Sequence, residues 1–209
     1  MEAVGQTAAL RELFSAVYRT VRPTRLAVLG CTTGADFEEI DAAVTDVSVG
    51  VDINAGYLDA AAQRLAALGR RVHLVCGDVL DVNLALAPFD LVYAALLLEY
   101  VNPISLFRRA HQWLSPEGYF SVVTQEPVAG LAAVSGSRYE ILQSLSGTMI
   151  LRSAKEIAVL GSREGFYLQS RRVLELPTRK TLTLQIFQTA PPPNRYMVSK
   201  VKRAHPGRD

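Results

Sequence analysis

The sequence predicts an α/β domain: a mostly parallel sheet of seven strands, helices on both faces, and a C-terminal antiparallel hairpin. Three observations carry this expectation. Short apolar runs alternate with helical segments five times, the rhythm of a parallel sheet with crossover helices. Two long strand-like runs joined by the turn Pro177-Thr178-Arg179 then depart from that rhythm. A hairpin of this kind is a known antiparallel addition to doubly wound sheets. The composition is that of a folded domain, with 209 residues, 49% hydrophobic, 20% charged, 14 Gly and 10 Pro. Those values exclude disordered, collagen-like and disulfide-scaffold classes.

The elements follow in order. Thr7–Val21 places Leu10, Leu13, Phe14, Val17, Tyr18 and Val21 on one helical face, and Pro23 closes that helix. Arg25–Gly30 is a short apolar run ending in glycine and reads as a strand buried on both faces. Ala35–Val44 reads as a helix, Val47–Val51 as a second strand, and Ala55–Leu68 as an alanine-rich helix stopped by Gly69. Val72–Cys76 is a third strand and Asp90–Ala94 lies in a fourth. Pro103–Leu114 is a helix ended by Ser115-Pro116-Glu117-Gly118, and Tyr119–Thr124 is a fifth strand. Ser153–Gly161 carries a capping box, with Ser153 at the N-cap and Glu156 three residues on. Phe166–Leu176 and Lys180–Thr189 form the hairpin. Residues 1–194 are expected to form one domain, and residues 195–209 a basic, solvated tail.

Charge and cysteine content narrow the function classes. The net charge of +2 is too small to demand a polyanionic partner. Its distribution is uneven, with 12 basic and 17 acidic residues before Arg163 but 10 basic and 3 acidic from there on. The tail residues Arg195, Lys200, Lys202, Arg203 and Arg208 are the one feature that suggests RNA or anionic lipid. A solvating chain end explains them as well, and Arg171, Arg172, Arg179 and Lys180 suit a sheet edge that discourages association. Nucleic acid is therefore not the expected partner. Cys31 and Cys76 form no disulfide framework, and no Cys/His spacing resembles a zinc site. The first residues lack the pattern of a signal peptide, and the longest apolar run, Leu91–Leu98, is far short of a membrane span. A cytoplasmic protein is expected.

In an open α/β sheet the ligand site lies beyond the carboxyl ends of the strands. The loop after the first strand is Gly30-Cys31-Thr32-Thr33-Gly34, which fails the GxGxxG dinucleotide fingerprint but still offers backbone N–H groups to an anionic portion of a ligand. Asp52 follows the second strand, where a carboxylate can accept both hydroxyls of a ribose or cap the next helix. Asp78 follows the third strand and can accept an adenine amino group or cap its own turn. Taken alone each acid is more often a cap; the three loops in this order favour a nucleotide-type ligand.

LAVLGCTTG, VSVGVDINAGYLDAAAQRL, VHLVCGDVLDV, FDLVYAALLLEYV and LSPEGYFSVVTQ resemble, in order, the motifs of class I S-adenosylmethionine-dependent methyltransferases. LRSAKEIAVLGSREGF resembles the helix before the sixth strand in small-molecule members, and the likeness spans roughly Arg25 to Gln188. It implies a Rossmann-like fold, S-adenosylmethionine as cofactor, and methyl transfer to a small-molecule acceptor. By the same resemblance Gly30, Cys31, Thr32 and Gly34 cradle the methionine portion, and Asp52 holds the ribose with Ile53 beside it. Asp78 and the backbone of Val79 read the adenine, and Ala94 and Ala95 line the methyl-transfer side. The sequence departs from the family at two positions of the first motif: Val28 stands where an acid is usual, and Thr32 where the central glycine is usual. Thr32, Thr33, Asp36 or a backbone carbonyl can compensate; otherwise the chain is a non-catalytic methyltransferase-like binding or regulatory domain.

Methyl transfer from a sulfonium relies chiefly on positioning, and a hydroxyl or ammonium acceptor also needs a base. Glu99 and Tyr100, after the fourth strand, are the candidates, with Gln125 and Glu126 on the same rim. Leu96, Leu97, Leu98 and Tyr100 around Glu99 would raise its pKa, unless Glu99 is a solvated residue at a helix start. His73 and His111 are read as structural, and His205 falls in the tail. The Asn-Pro-Pro-Tyr type of motif is absent after the fourth strand, which disfavours nucleobase methylation. Ser137–Leu145 is expected to be a short helix over the acceptor pocket, with Arg138 and Tyr139 toward substrate.

Overall fold

A computed structural model describes residues 2–69, 71–128, 149–177 and 179–189. The expected cover helix Ser137–Leu145, with Arg138 and Tyr139, and the basic tail lie outside the described residues. In chain order the elements are α1 (Glu2–Val21), β1 (Arg25–Leu29), a 3-10 turn (Ala35–Glu39), β2 (Val47–Asp52), α2 (Ala55–Ala67) and β3 (His73–Cys76). They continue with β4 (Phe89–Ala95), α3 (Pro103–Trp113), β5 (Leu114–Gln125), α4 (Ala154–Arg163), β6 (Phe166–Glu175) and β7 (Thr181–Thr189).

All seven strands join one sheet in the order β3-β2-β1-β4-β5-β7-β6. The pairs β1–β2, β2–β3, β1–β4 and β4–β5 are parallel, whereas β7 runs antiparallel to both β5 and β6. This is the expected fold class, a Rossmann-like sheet that is mostly parallel and carries an antiparallel C-terminal pair. The strand order reverses between β1 and β4, so the ends of those two strands define the crevice where a ligand would bind.

Two apolar layers clamp the sheet. On one face Leu13, Phe14 and Val17 of α1, Phe37 of the 3-10 turn and Leu58 and Leu65 of α2 pack on Val28, Leu91, Tyr93 and Val123. On the other, Leu106, Phe107 and Ala110 of α3 and Ile157 of α4 pack on Leu29, Val92, Phe120, Val122 and Phe187. The ring of Phe107 meets those of Phe120 and Phe187 edge-on at 5.2 and 5.3 Å, a geometry that aromatic quadrupoles favour. The side chains of Asn54, Asn102 and Ser153 cap α2, α3 and α4, and the Ser153–Glu156 capping box is present in full.

Two departures from expectation have local causes. The helix expected over Ala35–Val44 shrinks to the five residues Ala35–Glu39. The Tyr18 hydroxyl accepts the Asp41 N–H at 2.9 Å, and the Asp41 carboxylate accepts the Ala43 N–H at 2.9 Å. These local bonds offer the backbone an alternative to helix. The fifth strand begins at Leu114 rather than Tyr119, because Leu114 pairs with Phe89 and a register shift before Leu91 takes up the difference. The hairpin places its second strand inward: β7 is buried through Leu182–Phe187, while β6 is exposed along most of its length and forms the edge. Arg171 and Arg172 on β6 suit that exposed position.

Candidate functional site

The loop Gly30–Gly34 leaves β1 at the switch point and is bonded back onto β2. The N–H groups of Gly30 and Cys31 both donate to the Val51 carbonyl, at 2.8 and 3.0 Å, and Gly34 N–H donates to the Cys31 carbonyl at 2.9 Å. Gly30 and Gly34 have φ of 68° and 76°, as a tight turn requires of glycine. Thr32, where the central glycine is usual, has φ of 46° and keeps the left-handed conformation without glycine. For a β-branched residue this backbone is strained.

Asp52 holds that turn. One carboxylate oxygen accepts the Thr32 N–H at 2.9 Å, and the other accepts the Asn54 N–H at 2.9 Å. Its side chain ties the first loop to the second, and Asn54 rather than Asp52 caps α2. A carboxylate offers about four lone-pair sites, so two remain for hydroxyl donors. Ile53, directly after Asp52, is 72% exposed. Next along the rim, Gly77 N–H donates to the Asp52 carbonyl at 3.0 Å. The Asp78 carboxylate accepts the Leu80 N–H at 2.8 Å, so Asp78 caps its own turn, and it stays exposed. The side chain of Val79 is buried in the second apolar layer. Ile53 follows Asp52 directly, and Asp78 and Val79 follow Gly77, whose N–H reaches the Asp52 carbonyl.

Cys31 differs. Its side chain is buried against β2, close enough to Gly50 that a Cβ there would lie 2.9 Å from the Cys31 sulfur. Burial first, and the nearby Asp52 and Asp36 charges next, push its thiol up to about 12. It therefore stays a neutral thiol, and only the Cys31 backbone remains for a ligand.

The second half of the rim follows β4. Ala94 and Ala95 lie within that strand rather than past it, and Ala94 is buried in the core. Leu96 turns the chain with φ of 53°, and its N–H donates to the Val123 carbonyl at 2.8 Å. Leu97 then lies over Gly30, where a Cβ would stand 3.5 Å from its Cδ1.

Glu99 is not a solvated residue at a helix start; it is 3% exposed. One carboxylate oxygen accepts the Gln125 N–H at 2.9 Å, and the other is buried without a partner. Burial dominates, against the bonds from the Gln125 and Glu99 backbone N–H groups and the charge of Arg152, and moves its pKa up to about 7. Ile150 N–H donates to the Glu99 carbonyl at 2.8 Å, and Arg152 donates to the Leu98 carbonyl at 2.9 Å. Tyr100 is 39% exposed, with its hydroxyl 3.7 Å from the Met149 sulfur.

The remaining rim candidates have structural duties. Glu126 accepts the Ala154 N–H and the Thr183 hydroxyl, the latter at 2.8 Å, and so anchors the start of α4. Gln125 gives its backbone N–H to Glu99. His73 is exposed on β3, and His111 packs its ring on Phe166, so neither reaches the rim. Sequence reasoning missed Arg152, which lies one residue before the capping box, the only local signal that marked it, and it named Leu96 and Leu97 only as the apolar setting of Glu99. Among the described residues no group of three or more His, Cys, Asp or Glu could hold a metal, and no helix is long and apolar enough to cross a membrane. A groove of about 860 Å³ runs along the outer side of α1 beside Arg11, Glu39 and Arg172 and includes no rim residue.

Residues 27–118 match the family described as a methyltransferase domain. No curated protein matches the chain. Among solved structures it is similar to the N-methyltransferase NodS from Bradyrhizobium japonicum WM9 in complex with S-adenosyl-L-homocysteine. There the identity is 16% and the TM-score 0.65, covering 85% of this chain and 84% of that one. It is similar also to an S-adenosylmethionine-dependent methyltransferase from Mesorhizobium loti, at 22% identity and TM-score 0.63, covering 78% and 90%. A third is the cyclase SpnF, at 16% identity and TM-score 0.62, covering 79% and 75%. Segment 27–118 thus matches the methyltransferase-domain family, and the chain has the fold of the S-adenosylmethionine-dependent methyltransferases it is similar to.

Proposed function

We propose that this chain transfers the methyl group of S-adenosylmethionine to a small-molecule acceptor. The observation that carries the reading is Asp52: a buried carboxylate at the switch point, holding the first loop in place and keeping lone pairs for a ribose. The residues present fit the cofactor. Gly30, Thr32 and Gly34, with the Cys31 backbone, would take the methionine portion, Asp52 the ribose, and Ile53, Asp78 and Val79 the adenine. Ala94 and Ala95, as backbone, would border the transfer side. When bound, the cofactor supplies an electrophilic methyl group on a sulfonium.

The rest is the work of the chain. The rim loops orient, and the apolar residues Leu96 and Leu97 exclude water beside Gly30. The unpartnered oxygen of Glu99 takes the acceptor's proton once Glu99 is ionised above about pH 7. Tyr100, beside it on the exposed side, contacts the acceptor. On this reading residues 1–194 are one catalytic domain of a cytoplasmic enzyme, and the basic tail 195–209 lies outside it.

Calorimetric titration with S-adenosylmethionine, S-adenosylhomocysteine and adenosine tests the reading. The first two should bind far more tightly than adenosine. Equal binding of all three would mean that the methionine half does not function. Absence of binding would favour a partner-binding scaffold. A second reading, a non-catalytic domain with a degenerate pocket, is favoured by Val28 and Thr32. Replacing Val28 by Asp and Thr32 by Gly decides it: a large gain in cofactor affinity supports degeneration, and no gain counts against it.

A further inference from the structure

We propose that strand β6 pairs antiparallel with β6 of a second copy of this chain, centred on Val173, so that Arg171 of each copy meets Glu175 of the other. The surface lies away from the rim, and the pairing does not depend on the cofactor reading.

β6 is the last strand in the sheet order, so only one of its two edges is taken, by β7. It is 10 residues long, and every residue from Tyr167 to Val173 is exposed. Among the described residues no backbone group outside β7 bonds to Tyr167–Glu175. A bare strand edge of this length is a ready partner for another strand.

The side chains decide which strand. A register shift lies between Leu168 and Ser170, and beyond it the pairing with β7 runs unbroken to Glu175. Successive residues there alternate between faces, so Arg171, Val173 and Glu175 share one face and Ser170, Arg172 and Leu174 the other. The two faces use their charges differently. Arg172 is engaged by Glu12 of α1. Arg171 and Glu175 are both exposed, and neither has a hydrogen bond or ion pair among the described residues. Four positions apart on a strand, their Cα atoms stand about 13 Å from each other.

Read at alternate positions, this face carries a cation, an apolar residue and an anion, an order that is its own complement when reversed. Turned about Val173, each Arg171 faces a Glu175, and Val173, 52% exposed, faces its own copy. Directly opposed residues of an antiparallel pair have Cβ atoms about 5 Å apart, where opposite charges and apolar pairs stabilise. Centring the pair on Arg171, Arg172 or Glu175 instead sets like charges opposite each other, and centring it on Leu174 matches neither charge. The arginines that discourage indiscriminate association thus leave this register open. The result is a closed two-fold dimer with one sheet running through both copies. Because the paired strands run in opposite directions, the two rims open at opposite ends of that sheet.

The experiment is sedimentation velocity on the full chain, at low salt and over a concentration series. The wild type should show a concentration-dependent dimer. Arg171→Glu or Glu175→Arg alone should raise the dissociation constant by roughly 10-fold or more, because each sets like charges opposite each other twice in the dimer. Arg171→Glu combined with Glu175→Arg should restore it to within about 3-fold of wild type, since the exchange rebuilds both pairs. Val173→Lys, which places two cations on the axis, should give the same loss and serves if a reversal variant does not fold. A wild type that stays monomeric throughout overturns the proposal. A dimer that neither the reversals nor Val173→Lys weaken is formed by another surface and overturns it too. Failure of the exchange to restore the dimer refutes the register.

Discussion

The two halves of the rim satisfy their polar groups in opposite ways. Around β1, β2 and β3 the acids are bonded to backbone: Asp52 to Thr32 and Asn54, and Asp78 to Leu80. Around β4 and β5 the carboxylate of Glu99 is buried with one oxygen unpartnered, near Thr124, whose hydroxyl is unpartnered as well. On the proposed function the first half is a preorganised receptor, because its loops are already held by hydrogen bonds before any ligand arrives. The second stores an unsatisfied, easily protonated group, the condition under which a side chain exchanges a proton near neutral pH. On that proposal, binding and proton transfer are separated across the switch point.

Glu99→Gln should give the largest effect. Native Glu99 keeps its proton up to about pH 7, against 4.5 for an unperturbed glutamate. The native state binds the extra proton between those values, so stability falls as pH rises through that window and then levels off. Gln keeps the bond from Gln125 N–H and removes the buried charge. The variant should therefore be more stable than wild type at pH 8, by up to on the order of 3 kcal/mol, and nearly equal to it at pH 5. Thermal melts at the two pH values test this; matching melts at pH 8 would break the contrast between the halves. Once an acceptor is known, the same variant should lose roughly 100-fold or more in rate.

Asp52→Ala should lower cofactor affinity by roughly 100-fold, since it removes the proposed ribose acceptor and frees the first loop from its bond to Thr32 N–H. Calorimetry that finds affinity within about 3-fold of wild type would sink the assignment of the receptor half. Thr32→Gly sharpens the picture of that half. It should stabilise the protein by about 1 kcal/mol in urea unfolding, because glycine relieves a left-handed conformation. No gain would mean that the turn carries little strain. Ser153→Ala, which removes the α4 cap, should cost about 1 kcal/mol and leave cofactor affinity unchanged.

Much of this was legible in the residues. The alternation of strand-like runs with helices announced every strand within a few positions, most directly β1, β2 and β4, because a strand buried on both faces needs uninterrupted apolar residues. Gly30, Gly34, Asp52 and Asp78 marked the loops, because turns and caps select those residue types. Less legible were features that depend on partners distant in sequence. Asp41 gave no sign that Tyr18, 23 residues earlier, would divert its helix. Glu99 read equally well as solvated, since its burial comes from Gln125 and from the segment carrying Ile150 and Arg152.

By itself the sequence determined the class of sheet, the order of its elements and the loops that form the rim, because local propensity and hydrophobic period act within a few residues. Only the tertiary structure decided which hairpin strand lies inward, which acids are already bonded and which carboxylate is stranded without a partner. Burial and hydrogen bonding are settled when segments tens of residues apart are brought together, and no local pattern records that encounter.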